Sequence, residues 1–232
     1  CLMDTFSIHY DGTFDGFLTA VFEVYSQNLK VFSFQKHGLS QNTLFSQNLD
    51  VVTDEVKANR VWKSLKEKIQ ARACHQLYCA FLSEEAGVEM IMLRFIKRAL
   101  ASSKNIATDF SDADVLEIAQ ISKMVGREKH RMEAFIRFRL TRNGIYFATC
   151  EPDFNVLPLI KKHFQSRYAD QKWIIYDMKR NYGLVYDLQE TQIVTMNFDE
   201  SFDATKTSET LFEDAELDFQ TLWKDYFKST NI

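Results

Sequence analysis

IRFRLTRNGIYFATC, residues 136–150, places the pair Asn143-Gly144 between two runs rich in aromatic and β-branched side chains. Asn-Gly suits a two-residue turn whose central positions both need φ > 0, so the stretch predicts a β-hairpin. With Arg142 opposite Ile145, Leu140 faces Phe147 and Arg139 faces Ala148. Side chains alternate across a strand. One face then carries Ile136, Phe138, Leu140, Ile145 and Phe147, and the other Phe135, Arg137, Arg139, Tyr146 and Cys150. The first reads as core and the second as a basic, aromatic surface.

Downstream, Pro152 ends the second strand, and Leu157, Ile160, Phe164 and Tyr168 recur at helical spacing with Pro158 in the first turns. Runs at 173–176, 183–188 and 191–197 read as further strands, and a helix ending near Lys228 follows an acidic stretch. Upstream, Ser7–Tyr10 reads as a strand closed by Asp11-Gly12, and Thr13 as the N-cap of a helix. Val51–Asp54 ends a short strand and caps a helix, and two more helices follow near 74–84 and 88–99. Asp109–Asp114 caps a long helix to about Arg131. The expected fold class is α+β: a mostly helical part, then a mostly antiparallel sheet with one inserted helix and a C-terminal helix. Residues 1–232 read as one family domain with two lobes, a mostly helical 1–125 and a sheet-bearing 126–232.

Charge is divided along the chain. The net charge of −4 conceals seven Lys or Arg between Lys123 and Arg142, and eleven acids between Asp187 and the end. Phosphate attracts such cations, and exposed Tyr or Phe can stack unpaired bases at about 1–3 kcal/mol per base. Arg137, Arg139, Tyr146 and Phe135 form the expected contact surface, with Lys129 and Arg131 neutralising phosphates. Two other uses of the face compete with this one: Arg stems covering apolar surface, and salt bridges to the acidic tail.

No apolar run approaches the ~18–20 residues of a membrane helix, and no charged-then-apolar leader opens the chain. Cys1-Leu2-Met3 reads as a remnant before a natural start at Met3. Four irregularly spaced cysteines read as reduced thiols of a cytoplasmic protein. Cys74-His75…Cys79 lacks the paired spacing of a zinc site. His9, Asp11 and Asp15 surround a tight turn, where turn-making and helix capping account for them. Neither a phosphate loop nor a GxSxG, HExxH or kinase pattern is present. No metal and no cofactor are expected, and no catalytic signature marks the chain as an enzyme on its own.

Five blocks resemble one bacterial family of DNA metabolism proteins of unknown function. They are Tyr10–Phe17 with Ala20–Glu23; Arg60-Val61-Trp62; Ala80–Glu84; Glu128–Met132 with Ala134–Phe138; and Glu151-Pro152…Val156-Leu157-Pro158 with His163-Phe164 and Arg167-Tyr168. The resemblance implies an accessory role in DNA repair or modification: binding nucleic acid, single-stranded DNA included, or presenting it to a radical SAM partner protein. It also implies relatives fused to a uracil-DNA glycosylase-like domain, and a further basic segment after Tyr226-Phe227. His130, Glu151 and His163, polar residues within the matching blocks, are the candidate acid, base or ligand groups of an enzymatic alternative. A pure protein–protein adaptor is the other. This chain carries Phe154-Asn155 where many relatives are expected to have a histidine, which removes that residue from consideration.

Overall fold

The computed structural model describes residues 5–37, 47–141 and 144–195. The chain divides into two compact units, Cys1–Arg127 and Glu128–Ile232. Both combine helices with a sheet, and the described residues form an α+β protein.

In the first unit, β1 (Thr5–Tyr10) lies between β2 (Lys30–Lys36) and β3 (Gln47–Asp50), with both pairings parallel. Helix α1 (Phe14–Ser26) makes the β1-to-β2 crossover that parallel strands require. Thr13 caps it, its hydroxyl accepting the Gly16 N–H. Phe17 packs its ring 5.4 Å from that of Phe34 on β2 and 6.5 Å from Tyr10 on β1. Helices α2 (Glu55–Lys68), α3 (Ala71–Leu82) and α4 (Val88–Ala101) complete the helical part. Asp54 caps α2 by accepting from Val56 and Lys57 N–H, and Gly87 enters α4 at φ 81°, a left-handed conformation suited to glycine. Phe14 sits edge-on to Trp62, Tyr78 and Phe81, so one ring ties α1 to α2 and α3.

The turn after β1 shows where its polar residues go. The Asp11 carboxylate accepts the Thr13 N–H at 2.9 Å and hydroxyl at 2.7 Å, and the Thr53 hydroxyl at 2.6 Å. Burial pushes its pKa up. The hydrogen bonds from Thr53 and Thr13, with the nearby His37, outweigh this and hold it below the usual carboxylate range. Asp11 therefore ties the β1–α1 turn to the residues before α2. Cys74 and Cys79 are buried free thiols on α3, and Cys79 Sγ lies 3.4 Å from His75 Nε2. Among the described residues, no group of three or more His, Cys, Asp or Glu is arranged to hold a metal ion, and no helix is long and apolar enough to cross a membrane.

Helix α5 (Ala113–Phe135) begins in the first unit and ends in the second. Its N-terminus is secured by Arg94, which donates to both Asp114 oxygens, and by Arg98, which meets Asp112 at 2.7 Å and Asp114 at 2.9 Å. Hydrogen bonding to Arg94 holds the Asp114 carboxyl below its ordinary value despite its burial.

The second unit carries β4 (Arg139–Leu140), β5 (Tyr146–Cys150), α6 (Leu157–Arg167), β6 (Trp173–Asp177), β7 (Tyr182–Tyr186) and β8 (Thr191–Thr195), with the strands adjacent in chain order. All ladders are antiparallel except β5–β6, which is parallel because α6 is inserted between them. Leu157, Ile160 and Phe164 of α6 are buried, and the Phe164 ring meets Trp173 of β6 at 6.2 Å. A second apolar cluster joins Ile145, Phe147, Ile174 and Tyr176. The expected C-terminal helix and the strand residues beyond Thr195 lie outside the described residues.

The hairpin forms, with its register shifted by one residue from the expected pairing. Arg139 pairs with Phe147 and Leu140 with Tyr146. The Thr141 N–H and hydroxyl both donate to the Ile145 carbonyl, at 2.9 Å each, and the Gly144 N–H donates to the Thr141 carbonyl at 3.0 Å. Ile145 is thus bonded to Thr141, where the expected partner was Arg142, and Gly144 sits at φ 75°, a left-handed conformation suited to glycine. Arg142 and Asn143 lie outside the described residues. The shift sets Arg139 opposite Phe147 and leaves Tyr146 opposite Leu140, separating two side chains expected on one face. Helix α5 also runs to Phe135, so Phe135 lies on a helix and not on the expected strand.

Candidate nucleic-acid interface

The end of α5, the start of β5 and the end of α6 enclose a groove of about 470 Å³ in the second unit. Its lining includes Glu133, Arg137, Phe138, Tyr146, Arg167 and Tyr168. Each is placed by a local rule. Lys129 and Glu133 are one helical turn apart, and their side chains meet at 3.2 Å. Arg137 follows the last turn of α5, and its Nη1 donates to the carbonyls of Ala134 at 2.5 Å and Ile136 at 3.0 Å. The Ala134 carbonyl is among the last four of the helix, which lack partners within it, and the Ile136 carbonyl follows the helix end, so the guanidinium caps that end.

Aromatic packing fixes the opposite wall. Phe138 lies edge-on to Tyr168 at 5.2 Å and to Phe164 at 5.7 Å. The Phe164 and Tyr168 rings stack at an interplanar angle of 12°. Arg167 holds its guanidinium 5.8 Å above the Tyr168 ring, a cation–π arrangement that keeps the charge at the groove edge. Both arginines are exposed, whereas Tyr146 and Tyr168 are half-buried.

At one end of the groove, two histidines share one carboxylate. His130 Nδ1 lies 3.2 Å from Glu133 Oε2, and His163 Nδ1 lies 3.9 Å from Glu133 Oε1. Among the described residues, the buried His163 Nε2 has no hydrogen-bond partner. The structure therefore brings together His130 and His163, two of the three candidate acid–base residues, through Glu133. Glu151, the third, is exposed immediately after β5.

The remaining expected contact residues lie around this centre in different settings. Arg131 is bound by Glu128, Nε to Oε2 at 2.6 Å, and by Asp153 at 2.9 Å. Phe135 is 69% exposed at the end of α5, and Arg139 is exposed on β4. Arg137 and Tyr146, two of the residues expected on the hairpin's basic face, both line the groove. Glu133, Tyr168 and Gln171 were not singled out from the sequence as contact residues; the four-residue step from Lys129 to Glu133 was the signal available for the first.

A second polar network braces the loop after β5. Asp177 is fully buried and accepts the backbone N–H groups of Lys179 and Arg180, at 2.9 and 3.1 Å, and the Arg180 guanidinium at 3.0 Å. Arg180 also donates to the carbonyls of Pro152 and Asp153. Burial raises the Asp177 pKa, and the Arg180 contacts offset it only in part. Burial also pushes the Cys150 thiol up to about 12, with the Asp177 charge adding to the shift.

Residues 86–232 match the domain of unknown function DUF4130. The chain belongs to this family. The DUF4130 match begins just before α4 and contains every residue that lines the groove. No curated protein matches the chain.

Proposed function

We propose that this DUF4130 protein is an accessory protein of DNA repair or modification that binds nucleic acid through the groove between α5, β5 and α6. The observation that carries the reading is the pairing of two exposed guanidinium groups, Arg137 and Arg167, with the recessed Tyr146 and Tyr168 rings in one groove. Guanidinium groups attract phosphate, and aromatic faces accept bases. The DNA context and the radical SAM partner come from the family resemblance of the matching blocks. The test is titration of DNA at increasing salt. Affinity should fall as salt rises, and the Arg137→Ala/Arg167→Ala double variant should bind more weakly with a shallower salt slope. Salt-independent binding, or an unaltered double variant, would remove the assignment.

A second reading, an enzyme acting on nucleic acid, is favoured by one observation: His130 and His163 meet at Glu133 beside the same groove. An imidazole hydrogen-bonded to a carboxylate, as His130 is to Glu133 at 3.2 Å, with His163 at 3.9 Å from the same group, suits proton transfer. Mass analysis of DNA incubated with the protein and with His163→Gln decides it, since unchanged DNA in both reactions excludes the activity for the protein alone.

A further inference from the structure

Resting on the nucleic-acid reading, we infer that the groove takes a single unpaired nucleotide with its base exposed, and that an intact duplex is excluded from it. A volume of about 470 Å³ lies within the roughly 300–1,000 Å³ range of small-ligand pockets. It holds one base and its sugar-phosphate.

Depth and chemistry vary together across the lining. Arg137 and Arg167 are exposed, Tyr146 and Tyr168 are half-buried, and Ile136 is buried. A duplex touching this surface meets the two guanidinium groups with its phosphates, but its bases are stacked on one another and cannot offer a π-face to a recessed ring. An unpaired nucleotide meets both demands: its phosphate stays at the arginines while its base reaches the Tyr146 ring, since Phe164 and Arg167 already flank the Tyr168 ring.

The lining is also pre-set. Arg137 is tied to two backbone carbonyls, Arg167 is held over Tyr168, and Tyr168 packs against Phe138 and Phe164. Few rotamers remain to be ordered on binding. Stacking is indifferent to base identity, so preference between sequences should be weak.

A free mononucleotide offers the same chemistry as an unpaired nucleotide within a strand. We assign the strand, because the two exposed arginines belong to different elements, one following α5 and one ending α6, and can each take a phosphate.

The experiment compares four probes by fluorescence anisotropy, each at low and at high salt: a labelled single strand, the same strand with abasic sites, the perfect duplex, and a free mononucleotide as competitor. The single strand should bind tightest. Abasic sites should weaken it about fivefold or more per base lost from the groove, and the duplex should bind at least that much more weakly. Tyr146→Leu should reproduce the loss on the intact strand and add little on the abasic one.

Equal affinity for duplex and single strand, or for intact and abasic strands, overturns the inference. A mononucleotide that competes at the strand's own concentration overturns the assignment to a strand. If no probe shows salt-dependent binding, the underlying nucleic-acid reading itself has failed. Salt-dependent binding that ignores base exposure sinks only the inference.

Discussion

Glu128 and Asp153, twenty-five positions apart, are joined at 2.8 Å, with the Glu128 Oε1 accepting the Asp153 backbone N–H. The same carboxylate takes the Arg131 guanidinium, which also reaches the Asp153 side chain. Glu128 is buried and Arg131 half-exposed, so the triad braces the loop after β5 against α5. Glu128→Ala removes the acceptor of the Asp153 N–H and the buried carboxylate partner of Arg131, and should cost about 1–3 kcal/mol in chemical denaturation. Arg131→Ala should lower the melting temperature while changing DNA affinity less than Arg137→Ala. The reverse ranking in anisotropy titrations would return Arg131 to the contact surface.

Asp177 and Arg180 test a buried ion pair. Arg180→Ala strands a fully buried carboxylate and should destabilise by about 3–5 kcal/mol. Asp177→Asn retains the turn's acceptor oxygen and should cost less. The raised Asp177 pKa means that the native state keeps a proton in a pH window where the unfolded state has released it. Stability from this residue therefore falls as pH rises through that window, starting from the ordinary carboxylate value of about 3.9. Denaturation midpoints measured from acid to neutral pH should show that slope in the native protein and lose it in Asp177→Asn.

Cys150 should be nearly inert. With its thiol raised to about 12, the thiolate fraction at mildly alkaline pH is roughly a thousandfold below that of a free cysteine. Alkylation of a Cys1→Ser background, mapped by mass spectrometry, should leave Cys150 unmodified in the native protein and label it readily in denaturant.

Gly16 is required by close approach. A Cβ at this position would come within 2.2 Å of Asp11 Oδ1 and 2.9 Å of Thr53 Oγ1. Gly16→Ala should break the Asp11–Thr53 hydrogen bond and cost about 1–3 kcal/mol, the usual range for overpacking. Thermal unfolding checks this, and Gly126→Ala, where a Cβ meets nothing within 4 Å on α5, provides the control.

The sequence by itself determined several of the elements, though not β2 or the full length of α5. Thr13 and Asp54 as caps, the helical spacing of Leu157, Ile160 and Phe164, and the turn at Asn143-Gly144 all act over a few residues, so their consequences are legible without the rest of the chain. It also singled out Arg137 and Tyr146, which the fold brings to one groove from outside the expected hairpin face. Only the tertiary structure decided which side chains meet. One residue of slip, set by the Thr141 hydrogen bonds to Ile145, separated Arg139 from Tyr146. Packing of α6 against β6 brought Arg167 and Tyr168 to the groove. His163 reached Glu133 across thirty positions, and Arg180 reached the carbonyls of Pro152 and Asp153 across nearly as many. Such partners have no local signature, because chain closure over that distance is governed by what the core buries and not by the residues that finally touch.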